Sequence, residues 1–150
     1  MPKISYHPPF NTQKVKNIVD WFLVQMELSN EEFSLNIKGG SVPDFAALDE
    51  SRKNSLAFIY FYEEKEYEML IKKSLLACSP HLFLEIIFEE LVHVYQFLKE
   101  GLQYCRKTEK WNYANETFPK DIPYDSSPWE INAKAWAQKL TQSYLNQTNL

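Results

Sequence analysis

Apolar positions recur at helical spacing in three stretches of the chain and alternate or cluster as β-formers in three shorter ones. Val15, Ile18, Val19, Phe22, Leu23 and Met26 follow the i, i+3, i+4, i+7 rule, which predicts a helix from about Asn11 to Leu28 with Asn11 or Thr12 as its cap. Phe33 to Lys38 reads as a short strand ending at Gly39-Gly40, where a positive φ costs nothing, and a loop through Pro43 follows. Leu56 to Tyr62 is dense in β-formers, and Tyr67 to Ile71 resumes after the charged run Glu63-Glu64-Lys65-Glu66. These two segments predict an antiparallel hairpin beside the first strand, and so a small three-stranded sheet.

The strongest pattern follows. Ser79-Pro80 supplies a cap and a proline in the first turn, and apolar residues then surround most of a helix running to about Lys99, with Gly101 as its stop. A helix so apolar belongs in the core. The stretch 111–127 reads as irregular, polar and aromatic, and a last helix begins at Ser127-Pro128-Trp129-Glu130 and continues to about Tyr144. Trp129, Ile131, Ala133, Ala135, Trp136 and Leu140 are its apolar positions, with Trp129 and Trp136 expected as core anchors. The order helix, three strands, core helix, loop, helix predicts an α+β fold in one domain spanning 1–150, with 1–10 as an extended N-terminal segment.

Composition narrows the class of protein. Hydrophobic residues at 45% and aromatics at 15% supply enough apolar mass for a folded core and argue against disorder. Sixteen basic against 20 acidic residues give a net charge of -4, so no broad cationic surface awaits a phosphate backbone and nucleic acid is not an expected partner. No apolar run is long enough to cross a bilayer, and the start lacks the apolar core of a signal peptide, so the expectation is a cytoplasmic protein with no membrane partner. Cys78 and Cys105 are too few for a disulfide framework and lack metal-knuckle spacing, which makes them free thiols.

Chemistry concentrates on the core helix. At about 100° per residue, Glu85, Glu89, His93 and Gln96 fall in one stripe, with Glu90 further round the same side. Glu89 and His93, spaced i, i+4, can reach a common ion, and Glu90 can face a bound water. The same stripe also fits the wet face of an amphipathic helix, with His93 a structural histidine and Gln96 a surface amide; one turn beyond His93, Gln96 could instead support that residue or serve structure. Glu130 likewise has two readings, because Ser127-x-x-Glu130 is a capping-box pattern. His81 stands twelve residues before His93, about 18 Å along one helix, so the two cannot share an ion. His7 could reach the site only by an excursion of the N-terminal segment. A di-iron bundle needs two Glu-x-x-His motifs on four helices, and only Glu90-x-x-His93 is present.

Two separated segments, Glu89-Glu90-Leu91-Val92-His93-Val94-Tyr95-Gln96 and Tyr124-Asp125-Ser126-Ser127-Pro128-Trp129-Glu130-Ile131-Asn132-Ala133, resemble the short zincin-like metallopeptidase domains. That family carries a His-Glu-x-x-His helix, often continuing into a Gln, and a downstream Pro-Trp-Glu-x-x-Ala segment with the third ligand. The resemblance implies a zincin-like fold with an N-terminal helix, a small twisted sheet, a metal helix and a final helix. It also implies roles: His93 and Glu130 as metal ligands, Glu90 as the catalytic glutamate, and a peptide or protein as substrate. Glu89 stands where the family has its first histidine. A Glu89, His93, Glu130 set still offers three ligands and an open position for one divalent ion, zinc first, with manganese or iron as alternatives that suit the harder, more anionic donor set. Tyr124 has two readings, a packed loop aromatic or a hydrogen-bond donor to a developing oxyanion. Glu89 equally suits a second expectation, a metal-free zincin-fold protein serving as an interaction module.

Overall fold

The computed structural model describes residues 1–7, 11–40 and 56–148, and the side chains of 60–63 lie outside that description. The loop expected through Pro43 also falls outside it. The architecture is α+β, with three α-helices and two sheets among the described residues.

Helix α1 (Thr12–Gln25) starts where the pattern placed it: the Asn11 side chain accepts a hydrogen bond from the Lys14 amide. It ends three residues earlier than the apolar periodicity suggested. Glu27 turns left-handed at φ 56, and the Leu28 amide bonds back to the Leu23 carbonyl at 2.8 Å, a Schellman closure that needs no glycine. Met26 and Leu28 are buried all the same, which is why they extend the helical pattern past the helix itself.

The main sheet has four strands rather than three, in the order β1 (Lys3–His7), β2 (Ser34–Gly40), β4 (Glu66–Lys72), β3 (Ala57–Glu63). The β3–β4 hairpin is antiparallel as expected, turning through Glu64 and Lys65, the latter at φ 64. It sets β4, not β3, beside β2, and that pairing is parallel. The N-terminal segment is also a sheet member, with β1 parallel to β2. Register explains the choice: Tyr6, Ile37, Met69 and Ile59 line up across the four strands, as do Ile4, Leu35 and Tyr67. One face of the sheet thus becomes a continuous apolar layer under the helices. Gly39 and Gly40 are the last two residues of β2. Both pair with β4, and neither takes a positive φ.

Helix α2 (Pro80–Lys99) crosses this layer, capped by the Ser79 hydroxyl at the Leu82 amide and stopped at Gly101, φ 71. It buries Phe83, Ile87, Phe88, Leu91 and Val92. Helix α3 (Pro128–Thr148) packs along α2 through the narrow stripe Ala133, Ala137 and Leu140. Two alanines there let the backbones approach closely. Ile131 and Trp136, expected to face inward, are 56% and 38% exposed, because they lie off that stripe; the Trp136 ring instead meets the Lys139 ammonium.

The segment read as irregular is ordered. β5 (Gln103–Cys105), β6 (Lys110–Tyr113) and β7 (Glu116–Pro119) form a second antiparallel sheet, whose β6–β7 turn places Ala114 and Asn115 at φ 51 and 66. No Asn-Gly announces this turn, so the pattern hid it. The sheet carries its own small core, in which Trp129 lies 5.3 Å from Trp111, 5.6 Å from Phe118 and 6.0 Å from Tyr113 between ring centroids. Trp129 is therefore an anchor, as expected, and it pins the start of α3.

Candidate functional site

Three side chains from two helices converge beside that anchor. Glu89 and His93, one turn apart on α2, meet Glu130 from the first turn of α3, with one donor atom of each within 4.8 Å of the other two. His93 Nε2 lies 3.2 Å from Glu130 Oε2. His93 is 6% exposed and Glu130 9%, while Glu89 is half-buried. Glu130 Oε2 is buried without a hydrogen-bond partner, so its contact with the ring nitrogen is close but not aligned as a hydrogen bond. Two carboxylates and an imidazole around one small volume make a donor set that could hold a divalent cation.

Glu130 reaches this place because the capping box does not form. The Ser127 hydroxyl donates to the Tyr124 carbonyl at 2.8 Å, and the Ser127 amide bonds the same carbonyl, leaving the Glu130 carboxylate free to cross to α2. The expected wet face is only partly wet. His81 and Glu85 pair with each other at 3.0 Å in solvent, whereas His93 and Gln96 are enclosed between the helices. His81 stays clear of the cluster, as helix geometry required, and His7 ends the edge strand β1. Glu90 is half-buried, and its charge is felt by both His93 and the Tyr124 hydroxyl.

Gln96, one turn beyond His93, supports that residue directly. It is fully buried, with Oε1 2.8 Å from His93 Nδ1 and Nε2 donating to the Trp129 carbonyl at 2.8 Å. The available signal was its place on the same stripe as His93 within an otherwise apolar run. Nearby, Asn132 Nδ2 donates to the Tyr113 hydroxyl at 2.7 Å, which donates to Glu100 Oε1 at 3.1 Å, tying α3, β6 and the end of α2 together.

The electrostatics are those of a mutually dependent group. Burial disfavours the His93 imidazolium, but the Glu130 carboxylate, with help from Glu90 and Gln96, outweighs it and raises the pKa to about 9. Burial likewise works against the Glu130 carboxylate, and His93, Tyr124 and Lys134 more than offset it, so its pKa falls. Glu89 moves the other way, pushed up by burial and by Glu130. The Tyr124 hydroxyl interacts with both carboxylates, and burial and those charges hold it protonated. Its ring stacks under the Lys134 ammonium at 5.0 Å. A cavity of about 220 Å³ opens beside Glu89 between Leu82, Ile86, Ala137 and Lys134.

A pH dependence follows for the chain kept free of metal by a chelator. Because the folded His93 pKa lies above the unfolded value of 6.5, its contribution to stability is complete below about pH 6.5 and is lost as pH rises through about 9. The loss is on the order of 3 kcal/mol. Urea unfolding at pH 6, 7.5 and 9.5 measures it, and a flat profile across that range would mean that the imidazolium is not held by Glu130.

Neither a protein-family model, a curated protein nor a solved structure matches the chain. The site's own geometry is therefore the ground for its functional reading. Among the described residues, no helix is long and apolar enough to cross a membrane.

Proposed function

We propose that this chain is a zincin-like, metal-dependent peptidase in which Glu89, His93 and Glu130 hold one divalent ion, most simply zinc, with manganese or iron as the harder alternatives. The observation that carries the reading is the convergence of these donors within 4.8 Å, with Glu130 Oε2 buried and lacking a hydrogen-bond partner. Such an ion, when bound, acidifies water and polarises the scissile carbonyl. Glu90, next to Glu89 on α2, takes the proton from the attacking water and passes it to the departing amine. Tyr124, kept protonated by burial and by the carboxylates around it, donates a hydrogen bond to the oxygen on which negative charge develops. The substrate is a peptide or protein, and β3, an outer strand in the order of the main sheet's described strands, packs against the helix that carries Glu89 and His93, where an extended chain could add to the sheet.

Elemental analysis of purified protein tests the reading, alongside calorimetric titration with zinc and cleavage of an unstructured protein such as casein. One equivalent of metal with chelator-sensitive hydrolysis is expected. Protein that neither contains nor takes up zinc, manganese or iron would exclude it.

Glu89 is the residue that departs from the family pattern, and it supports a quantitative expectation. Glu89→His exchanges an oxygen donor whose pKa is raised by burial and by Glu130 for an imidazole, and should tighten zinc binding by about tenfold or more. Unchanged affinity would show that residue 89 does not face the ion.

A second reading has its own observation. Without an ion, the buried His93–Glu130 pair is a charge staple between α2 and α3, 3.2 Å long, and a metal-free interaction module would use it only for that. The metal analysis separates the two.

A further inference from the structure

We infer that Gln96 is a positioning residue that keeps the proton on His93 Nδ1, so that Nε2 is the nitrogen free to bind an ion, and that it takes its own orientation from the backbone carbonyl just before Glu130. A carbonyl only accepts, so the Gln96 group facing Trp129 O at 2.8 Å is the amide nitrogen. The Gln96 oxygen then faces His93 Nδ1, also at 2.8 Å. An amide oxygen only accepts as well, so Nδ1 carries a proton. Nε2 is thereby the nitrogen that gives up its proton when the ring serves as a ligand, and it is the one turned to Glu130.

Gln96 has no solvent exposure, and both of its polar atoms are engaged, so water offers it no other orientation. The influence passes from a peptide group in α3, through one amide, to the protonation of an imidazole in α2. Residues 129 and 130 consequently act as a unit: the first fixes which nitrogen of His93 is available, and the second supplies the carboxylate opposite it. The role of Gln96 rests on the metal-site reading, but the assignment of the Nδ1 proton does not.

The three histidines His7, His81 and His93 are few enough to resolve by ¹⁵N-edited NMR of the intact protein. In chelated protein His93 should show an exchange-protected proton on Nδ1, and zinc chloride should shift its Nε2 while that proton persists. Gln96→Met, close to Gln in shape but without an acceptor, should lose the protection and bind zinc about 10- to 100-fold more weakly. Gln96→Glu, which still accepts from Nδ1 but can no longer donate to the Trp129 carbonyl, should keep the Nδ1 proton and lose less zinc affinity than the Met variant.

An unprotonated Nδ1 in the native protein overturns the inference, as does a folded Met variant with native zinc affinity. Equal losses in the Met and Glu variants would also overturn it, reducing Gln96 to a bridge to Trp129. Should the Met variant not fold, the native Nδ1 proton and the Glu variant still decide. Zinc that leaves all three rings unshifted while the protected proton is present would remove the metal site and leave the tautomer assignment standing.

Discussion

Glu90→Gln should lower peptide hydrolysis by about 10²- to 10⁴-fold while zinc binding and thermal stability stay near native. The glutamine keeps the size and polarity of the side chain but cannot accept a proton from the attacking water. Glu90 is not in the group of converging donors, so its loss leaves Glu89, His93 and Glu130 in place. It is also only half-buried, so the exchange has little packing to disturb. Because the Glu90 charge contributes to the raised pKa of His93, a modest fall in that pKa should accompany the variant. The assay is kcat/KM on a fluorogenic peptide beside a calorimetric zinc titration on the same preparation. Native hydrolysis in the variant would exclude Glu90 as the base, and lost zinc binding would move it among the ligands.

Removal of Glu130 should have the largest effect on the molecule as a whole. In Glu130→Ala the proposed metal site loses one of its three donors, and His93, 6% exposed, loses the carboxylate that makes its charge tolerable inside the protein. Breaking a buried pair by deleting one partner costs about 3–5 kcal/mol, more than most surface changes by an order of magnitude. The His93 pKa should fall from about 9, since burial alone pushes it down. Urea unfolding of chelated protein at pH 7 and an NMR titration of the imidazole measure the two effects. A variant within about 0.5 kcal/mol of native would show that the pair carries no stability, and an unchanged His93 titration would show that Glu130 does not control it.

The local signals in the chain were read with uneven success, and the errors have physical causes. Both clear helix starts, at Asn11 and Ser79, are legible because a capping side chain acts on amides within its own turn. The end of α1 was overread because Leu28 is buried through tertiary packing rather than helical phase. The β5–β6–β7 sheet escaped notice because its turns use Glu109, Ala114 and Asn115 at positive φ without a glycine. Trp136 was misplaced because apolar character does not state which side of a helix meets the core, and the close approach at Ala133 and Ala137 decided that instead. At the site, the i, i+4 spacing of Glu89 and His93 was evident from periodicity, but the fate of Glu130 was not, since its position suits a cap as well as a ligand.

By itself, the sequence determined the α+β class, a core helix from Pro80 to Lys99, and the presence of Glu89, Glu90, His93 and Gln96 on one side of it. All of these depend on interactions within a few residues, where spacing along the chain and distance in space are the same information. Only the tertiary structure decided that β4 lies between β2 and β3, that Trp129 anchors in the second sheet, and that Glu130 crosses to His93 instead of capping its own helix. Those outcomes set groups far apart in sequence against one another, and which contact wins depends on how the whole apolar surface is buried.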